Sequence, residues 1–227
     1  MKVLLIGATG LVGGMVVDRL LERGHEVHGL VRRATGRSGS GWHEHVAPAL
    51  DWPGVVQEIG SADAAISCLG TTWRKAGSEA AFRAVDHDAV IAFARAARDA
   101  AVAHLLSVSS VGADANSRNF YLRTKGETDE ALQALSFPRL DIFRPGLLLG
   151  ERGSDRRPGE RLGILLDPFT RLFLRGSWSR FAGMPASRVA AAIVRAVEQP
   201  GEGARVHENR DIDRLADQML TSGQAPR

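Results

Sequence analysis

The first thirteen residues constrain the fold more than any other stretch of the chain. Lys2-Val3-Leu4-Leu5-Ile6 is an apolar run of strand length, Gly7 breaks it, and an amphipathic helical pattern runs from near Leu11 to about Arg23. A strand, a glycine turn and a helix start, in that order, are what a dinucleotide pyrophosphate needs. Gly7 lets the chain turn sharply, Gly10 lets backbone amides approach a phosphate with no side chain between, and Gly13 lets the helix pack close to the strand. Thr9, Leu11 and Val12 flank those glycines, and the amides of the helix start lie at its positive dipole end. Residues 26–31 form a second apolar strand and complete a βαβ unit within about thirty residues, the context that separates this motif from a glycine turn serving only packing.

At 227 residues the chain is expected to form one α/β domain over 1–221, with a core of ordinary size. No apolar run approaches the length that spans a bilayer, so no membrane association is expected. A single cysteine leaves no internal disulfide framework, which fits a reducing cytoplasm. The net charge is +3, and the basic residues are spread out apart from Arg32-Arg33 and the segment 152–161. Nucleic-acid binding is therefore not expected. No metal spacing is apparent either. His43 and His45 are one residue apart without an accompanying cysteine or carboxylate cluster, and they read as solvated loop residues.

After the strand 26–31 come Arg32 and Arg33. An acidic residue near this strand end would accept bonds from the ribose 2′-hydroxyl of NAD; two guanidiniums suit the 2′-phosphate of NADP instead. NADP (NADPH) is the expected cofactor, and a solvated basic loop is the alternative. Residues 36–41 read as a flexible loop, followed by a third strand over 45–49 with Asp51 at its end, in reach of an adenine. A short helix over 53–59 leads to a fourth strand, 64–69. Strand ends of a parallel sheet open onto the ligand crevice. Cys68, Leu69, Gly70, Thr71 and Arg74 are therefore expected to line the cofactor, with Cys68 a small hydrophobe rather than a reactive thiol. A long alanine-rich helix over 79–101 precedes a fifth strand, 103–108, which ends in Ser109-Ser110. A sixth strand, 140–143, ends in Arg144-Pro145-Gly146-Leu147, a second wall for the crevice. A closing helix over 186–198, a short strand over 205–208 and a disordered tail from Ser222 complete the reading.

The chain has one tyrosine, Tyr121, and three lysines, Lys2, Lys75 and Lys125. Tyr121 and Lys125 are four apart in a stretch with helical character, 120–135, and so share a helix face. A phenol with a pKa near 10 is a poor acid–base catalyst at neutral pH, and a neighbouring ammonium favours the phenolate. Lys125 can also bond the nicotinamide ribose. Ser110, at the end of the preceding strand, would orient a substrate oxygen and stabilise charge on it. Tyr121 would give a proton to that oxygen as hydride reaches the carbonyl carbon, or take one in the oxidative direction. A surface Tyr–Lys pair with no chemical role is the alternative.

These motifs resemble the short-chain dehydrogenase/reductase superfamily, as an atypical member related to its extended branch. Five stretches are similar to the Tat-interacting oxidoreductase group in particular. They are Cys68-Leu69-Gly70-Thr71-Thr72, Lys75-Ala76-Gly77, Tyr121-Leu122-Arg123-Thr124-Lys125-Gly126-Glu127, Phe143-Arg144-Pro145-Gly146 and Arg157-Pro158-Gly159-Glu160. The resemblance covers nearly the whole chain. It implies a Rossmann-like doubly wound parallel sheet with a small C-terminal substrate lid, NADPH in the crevice, and a Ser–Tyr–Lys triad at Ser110, Tyr121 and Lys125. Ser109 stands next to the expected serine. Relatives usually place an asparagine where Asp86 stands here.

The expected activity is hydride transfer between NADPH and a small carbonyl or alcohol substrate. An NADPH-binding regulatory module with little turnover and a nucleotide-sugar epimerase or dehydratase are the alternatives. Residues 146–185 are expected to form the substrate lid and a candidate surface for a protein partner, in a monomer or a homodimer.

Overall fold

Short runs of valine, leucine and isoleucine, apolar on both faces, are suited to a parallel sheet covered by helices on either side, and that is what they build. The computed structural model describes residues 1–150 and 183–222. Strands β1 (Lys2–Ile6), β2 (Glu26–Val31), β3 (Trp42–Val46), β4 (Ala64–Ser67), β5 (His104–Val108), β6 (Arg139–Phe143) and β9 (Gly203–His207) form one parallel sheet in the order β3-β2-β1-β4-β5-β6-β9. The order reverses between β1 and β4, which opens a crevice beyond their carboxyl ends. Two further short strands, β7 (Leu148–Leu149) and β8 (Met184–Pro185), pair with each other.

Helices α1 (Leu11–Glu22), α7 (Ala186–Glu198) and α8 (Asn209–Ser222) cover one face, where Val16, Val17, Leu20, Val189, Ile193 and Ile212 are fully buried. On the other face lie α2 (Trp52–Ile59), α5 (Ala89–Asp99) and α6 (Phe120–Ala134), around Trp52, Val56, Phe93 and Leu132. Asp141 of β6 is the sheet's one fully buried carboxylate among the described residues, and it accepts hydrogen bonds from His104 Nε2 at 2.7 Å, His207 Nε2 at 2.6 Å and Arg139 Nε at 2.8 Å.

Four expectations need correction. The third strand runs from Trp42 to Val46 rather than over 45–49, because the Trp42 ring lies on Gly29 of β2, where any side chain would collide with it. His43 and His45 are therefore strand residues, not loop residues. Asp51 does not end that strand but lies in a 3-10 turn, Ala49–Asp51, leading into α2. The long helix is divided into α4 (Glu79–Arg83), a π-helical turn Ala84–Asp88, and α5. A π turn inserts one residue into the helical repeat, and here it turns Asp86 inward to full burial. Four elements were not anticipated: α3 (Trp73–Ala76), capped by the Thr72 side chain, α8, and the short strands β7 and β8. Apolar Ile212, Leu215, Ala216 and Met219 recur along α8 at helical spacing. Residues 151–182 of the expected lid, and the expected tail beyond Ser222, lie outside the described residues.

Candidate cofactor and active site

The glycine turn between β1 and α1 is built as tightly as its residues suggest. Gly7 has φ +88°, and a Cβ there would strike the backbone of Cys68 and Leu69 on the neighbouring strand end. A Cβ on Gly13 would collide with the carbonyl oxygen of Gly7 and reach within 3.1 Å of Cys68 Cβ. The Gly10 amide donates to the Gly7 carbonyl at 2.9 Å and closes the turn. No side chain caps α1, and its first turn holds no acidic residue. Thr9 and Gly10 are exposed, Leu11 is half-buried, and Val12 and Gly13 are buried. An exposed, uncapped helix start behind a glycine cradle is a fit for a pyrophosphate.

Arg32 and Arg33 follow β2 directly and are both exposed, on the β2 side of that turn. Asp51 is exposed as well. Cys68 is packed beneath the glycine turn, and burial pushes its thiol up to about 12, which leaves it inert at neutral pH. Leu69 packs into the core on the α5 side, and Gly70 is exposed. The Thr71 amide, expected to face a ligand, donates instead to Asp86 Oδ2 at 2.8 Å. Arg74 is exposed on α3.

Helix α6 carries the chemical groups. Its N-terminus is capped by Asn119, whose side chain accepts from the Leu122 amide at 3.2 Å. Gly126 sits against the backbone of Asp114 and Ala115 with no room for a Cβ, which clamps the helix to the loop after β5. Tyr121 is 39% exposed, and its ring lies 5.6 Å from that of Phe82. Lys125, one turn on, is buried, with Nζ 2.7 Å from Asp86 Oδ1. Burial works against its charge, but Asp86 above all, with Tyr121 and Asp129, more than offsets this and raises the ammonium above its ordinary value. Lys125 therefore stays charged at neutral pH. The Thr128 hydroxyl donates to the Asp86 carbonyl at 3.0 Å and ties the π turn to α6.

The two serines after β5 face different ways. Ser109 is buried, and its hydroxyl donates to Asp129 Oδ2 at 2.9 Å. Ser110 is half-buried, and among the described residues its hydroxyl donates only to the neighbouring Val111 carbonyl, at 3.3 Å. Asp129 also receives Arg144 Nε at 2.8 Å; burial raises it above the usual carboxylate range, although Arg144, Ser109 and Lys125 act against this. Arg144 is thus held from below, while the buried Pro145 and Gly146 and the half-buried Leu147 bring the β6 end beside the serine loop. The Val111 amide donates to the Pro145 carbonyl at 3.0 Å and the Gly146 amide to Asn209 Oδ1 at 2.9 Å. Asp129 was missed from the sequence, although Tyr121, Lys125 and Asp129 stand at successive spacings of four on one helix. That repeat was the available signal.

Comparison with known proteins bears on the family and the fold. A family model described as NAD(P)H-binding matches residues 7–200. Protein FMP52, mitochondrial, of Eremothecium gossypii is 34% identical over 230 residues, which is 97% of this chain and 100% of that protein. Protein HTATIP2 of Rattus norvegicus is 38% identical over 153 residues, 66% of this chain and 60% of that protein. Among solved structures, a human epimerase family protein with NADPH aligns at TM-score 0.62 and 20% identity, over 98% of this chain and 80% of its own. The Bordetella bronchiseptica enzyme WbmH in complex with NAD+ aligns at TM-score 0.67 and 20% identity, over 100% of this chain and 82% of its own. At those identities the structures speak for the fold alone. The cytoplasmic expectation is overturned: FMP52 relatives of six organisms are named mitochondrial. A low cysteine count says only that no disulfide framework is needed, and more than one compartment meets that condition. No helix among the described residues is long and apolar enough to cross a membrane.

Proposed function

The chain belongs to the NAD(P)H-binding family, in the atypical short-chain dehydrogenase/reductase-like group represented by its FMP52 and HTATIP2 relatives, and from that premise we propose that it is an NADP-dependent oxidoreductase of a small carbonyl or alcohol. One observation supports the reading: the chain's only tyrosine is exposed on α6, one helical turn before a buried lysine whose ammonium is held above its ordinary value.

Gly7, Gly10 and Gly13 would hold the pyrophosphate against the α1 amides, and Arg32 and Arg33 the 2′-phosphate. Bound NADPH supplies the hydride. Ser110, whose hydroxyl has only a weak local partner, donates to the substrate oxygen. Tyr121 hands that oxygen its proton, and positioned proton transfer of this kind contributes about 10² to 10⁴ in rate. Lys125 keeps a positive charge beneath the phenol, while Asp86 and Asp129 keep the lysine in place.

Tyr121→Phe tests the assignment. NADPH affinity should be nearly unchanged while turnover falls by about 10² or more. A variant as fast as its parent removes Tyr121 from the chemistry.

A second reading, a regulatory NADPH-binding module with little turnover, is favoured by the same ion pair. Asp86 compensates the charge that would otherwise act on Tyr121 alone. Tight NADPH binding without turnover across a broad set of carbonyl compounds would select it.

A further inference from the structure

At the far edge of the sheet from β9, strand pairing assembles a group of side chains that the sequence keeps apart. Parallel pairing of β2 with β3 sets His28 opposite His43. Residues two apart on a strand share a face, so Glu26 joins His28, and His45 joins His43, on one surface. His28 Nε2 lies 2.8 Å from Glu26 Oε1, and His43 Nε2 lies 3.5 Å from the same oxygen. His28 Nδ1 is 3.0 Å from His45 Nε2. One ligand atom from each of Glu26, His28 and His43 falls within 4.8 Å of the others.

We propose that Glu26, His28 and His43 form a site for a divalent transition metal of the zinc type, with His45 orienting His28 from behind. Tetrahedral zinc at about 2.0–2.1 Å from nitrogen or oxygen ligands spaces them about 3.3 Å apart, against 2.8 and 3.5 Å from Glu26 Oε1 to the nitrogens of His28 and His43. The donor set of two imidazoles and a carboxylate suits such an ion, and Glu26 and His43 are exposed, so a further coordination position is open to solvent. The His28 and His43 rings are stacked, with centroids 4.6 Å apart. The exposed His43 ring tilts out of that stack to bring its lone pair onto the ion. His28 then carries its proton on Nδ1 and donates it to His45 Nε2, the arrangement by which an outer partner fixes a ligating imidazole. The Lys2 ammonium, whose field reaches these imidazoles, is tied to the Ile59 carbonyl at 2.8 Å. None of these residues belongs to the crevice beyond β1 and β4, so this site stands or falls independently of the proposed oxidoreductase activity.

The test is calorimetric titration of the full chain with zinc chloride at neutral pH. The expected result is one saturable zinc per chain at low-micromolar concentration. His28→Ala and His43→Ala should each weaken binding tenfold or more, and His45→Ala about tenfold through the orientation of His28. The exposed Glu26→Gln keeps the test sound should a histidine variant misfold, and it should weaken binding as well. His25→Ala, at a histidine paired with Glu198, should change nothing. Absence of saturable binding, or binding of parental strength in the His28→Ala, His43→Ala double variant, overturns the site.

Discussion

Lys125 Nζ and Asp86 Oδ1 lie 2.7 Å apart in the interior, the lysine on α6 and the aspartate on the π turn between α4 and α5. Neither group would tolerate burial alone, and each is held by the other. The pair ties α6 to the π turn. Asp86→Ala leaves the ammonium buried without its nearest partner and should cost about 3–5 kcal/mol, read as a fall in the denaturant midpoint at unchanged slope. A loss below about 1 kcal/mol would mean that Asp129 alone can compensate Lys125.

The two serines should separate cleanly. Ser110→Ala should lower turnover with the denaturant midpoint unchanged, since its hydroxyl has only a long bond to the adjacent carbonyl. Ser109→Ala removes a donor from the buried Asp129 and should cost about 1–2 kcal/mol while any turnover of the folded protein is retained. The opposite pattern would move the catalytic role to Ser109.

The glycine cradle makes a prediction of place. Gly13→Ala drives a methyl into the Gly7 carbonyl and should abolish NADPH binding, measured by the change in nicotinamide fluorescence. Gly14→Ala, one residue on, meets only the Ala8 carbonyl at 3.4 Å and should bind nearly as the parent does. Equal effects would mean that helix propensity, not the turn, governs binding.

Replacing Arg32 and Arg33 together by alanine should raise the dissociation constant for NADPH by about ten- to a hundredfold, with little change for NADH. Parallel changes for both cofactors would show that the arginines do not read the 2′-phosphate.

Stability should rise from acid to neutral pH in two stages. Burial holds the His104 imidazole below its ordinary value, against the pull of Asp141. Below about pH 6.5 the unfolded chain therefore takes up a proton that the folded chain resists, and stability falls. Burial pushes Asp141 up, but hydrogen bonds from His104 and His207 and the charge of Arg139 outweigh it and hold the carboxyl well below the usual range. Its contribution is complete above its unfolded value, about 3.9, and is lost as pH falls toward the folded one. Thermal midpoints across this range check the sign, and Asp141→Asn should flatten the acid limb.

The sequence by itself determined the alternation of sheet strands and helices, the glycine cradle, and the sharing of one helix face by Tyr121 and Lys125. Each depends on local periodicity, turn chemistry or spacing, which a chain carries in its own order. Position in the sheet, as for Trp42 over Gly29, and the π turn that brings Asp86 to Lys125 were not legible, because both answer to contacts from distant segments. The tertiary structure alone decided that Ser109 turns inward to Asp129, that Asp129 stands beneath Arg144, and that Glu26, His28, His43 and His45 meet on adjacent strands. Spacing along a chain tells which side chains share a face; only the pairing of strands and the packing of helices tells which faces meet.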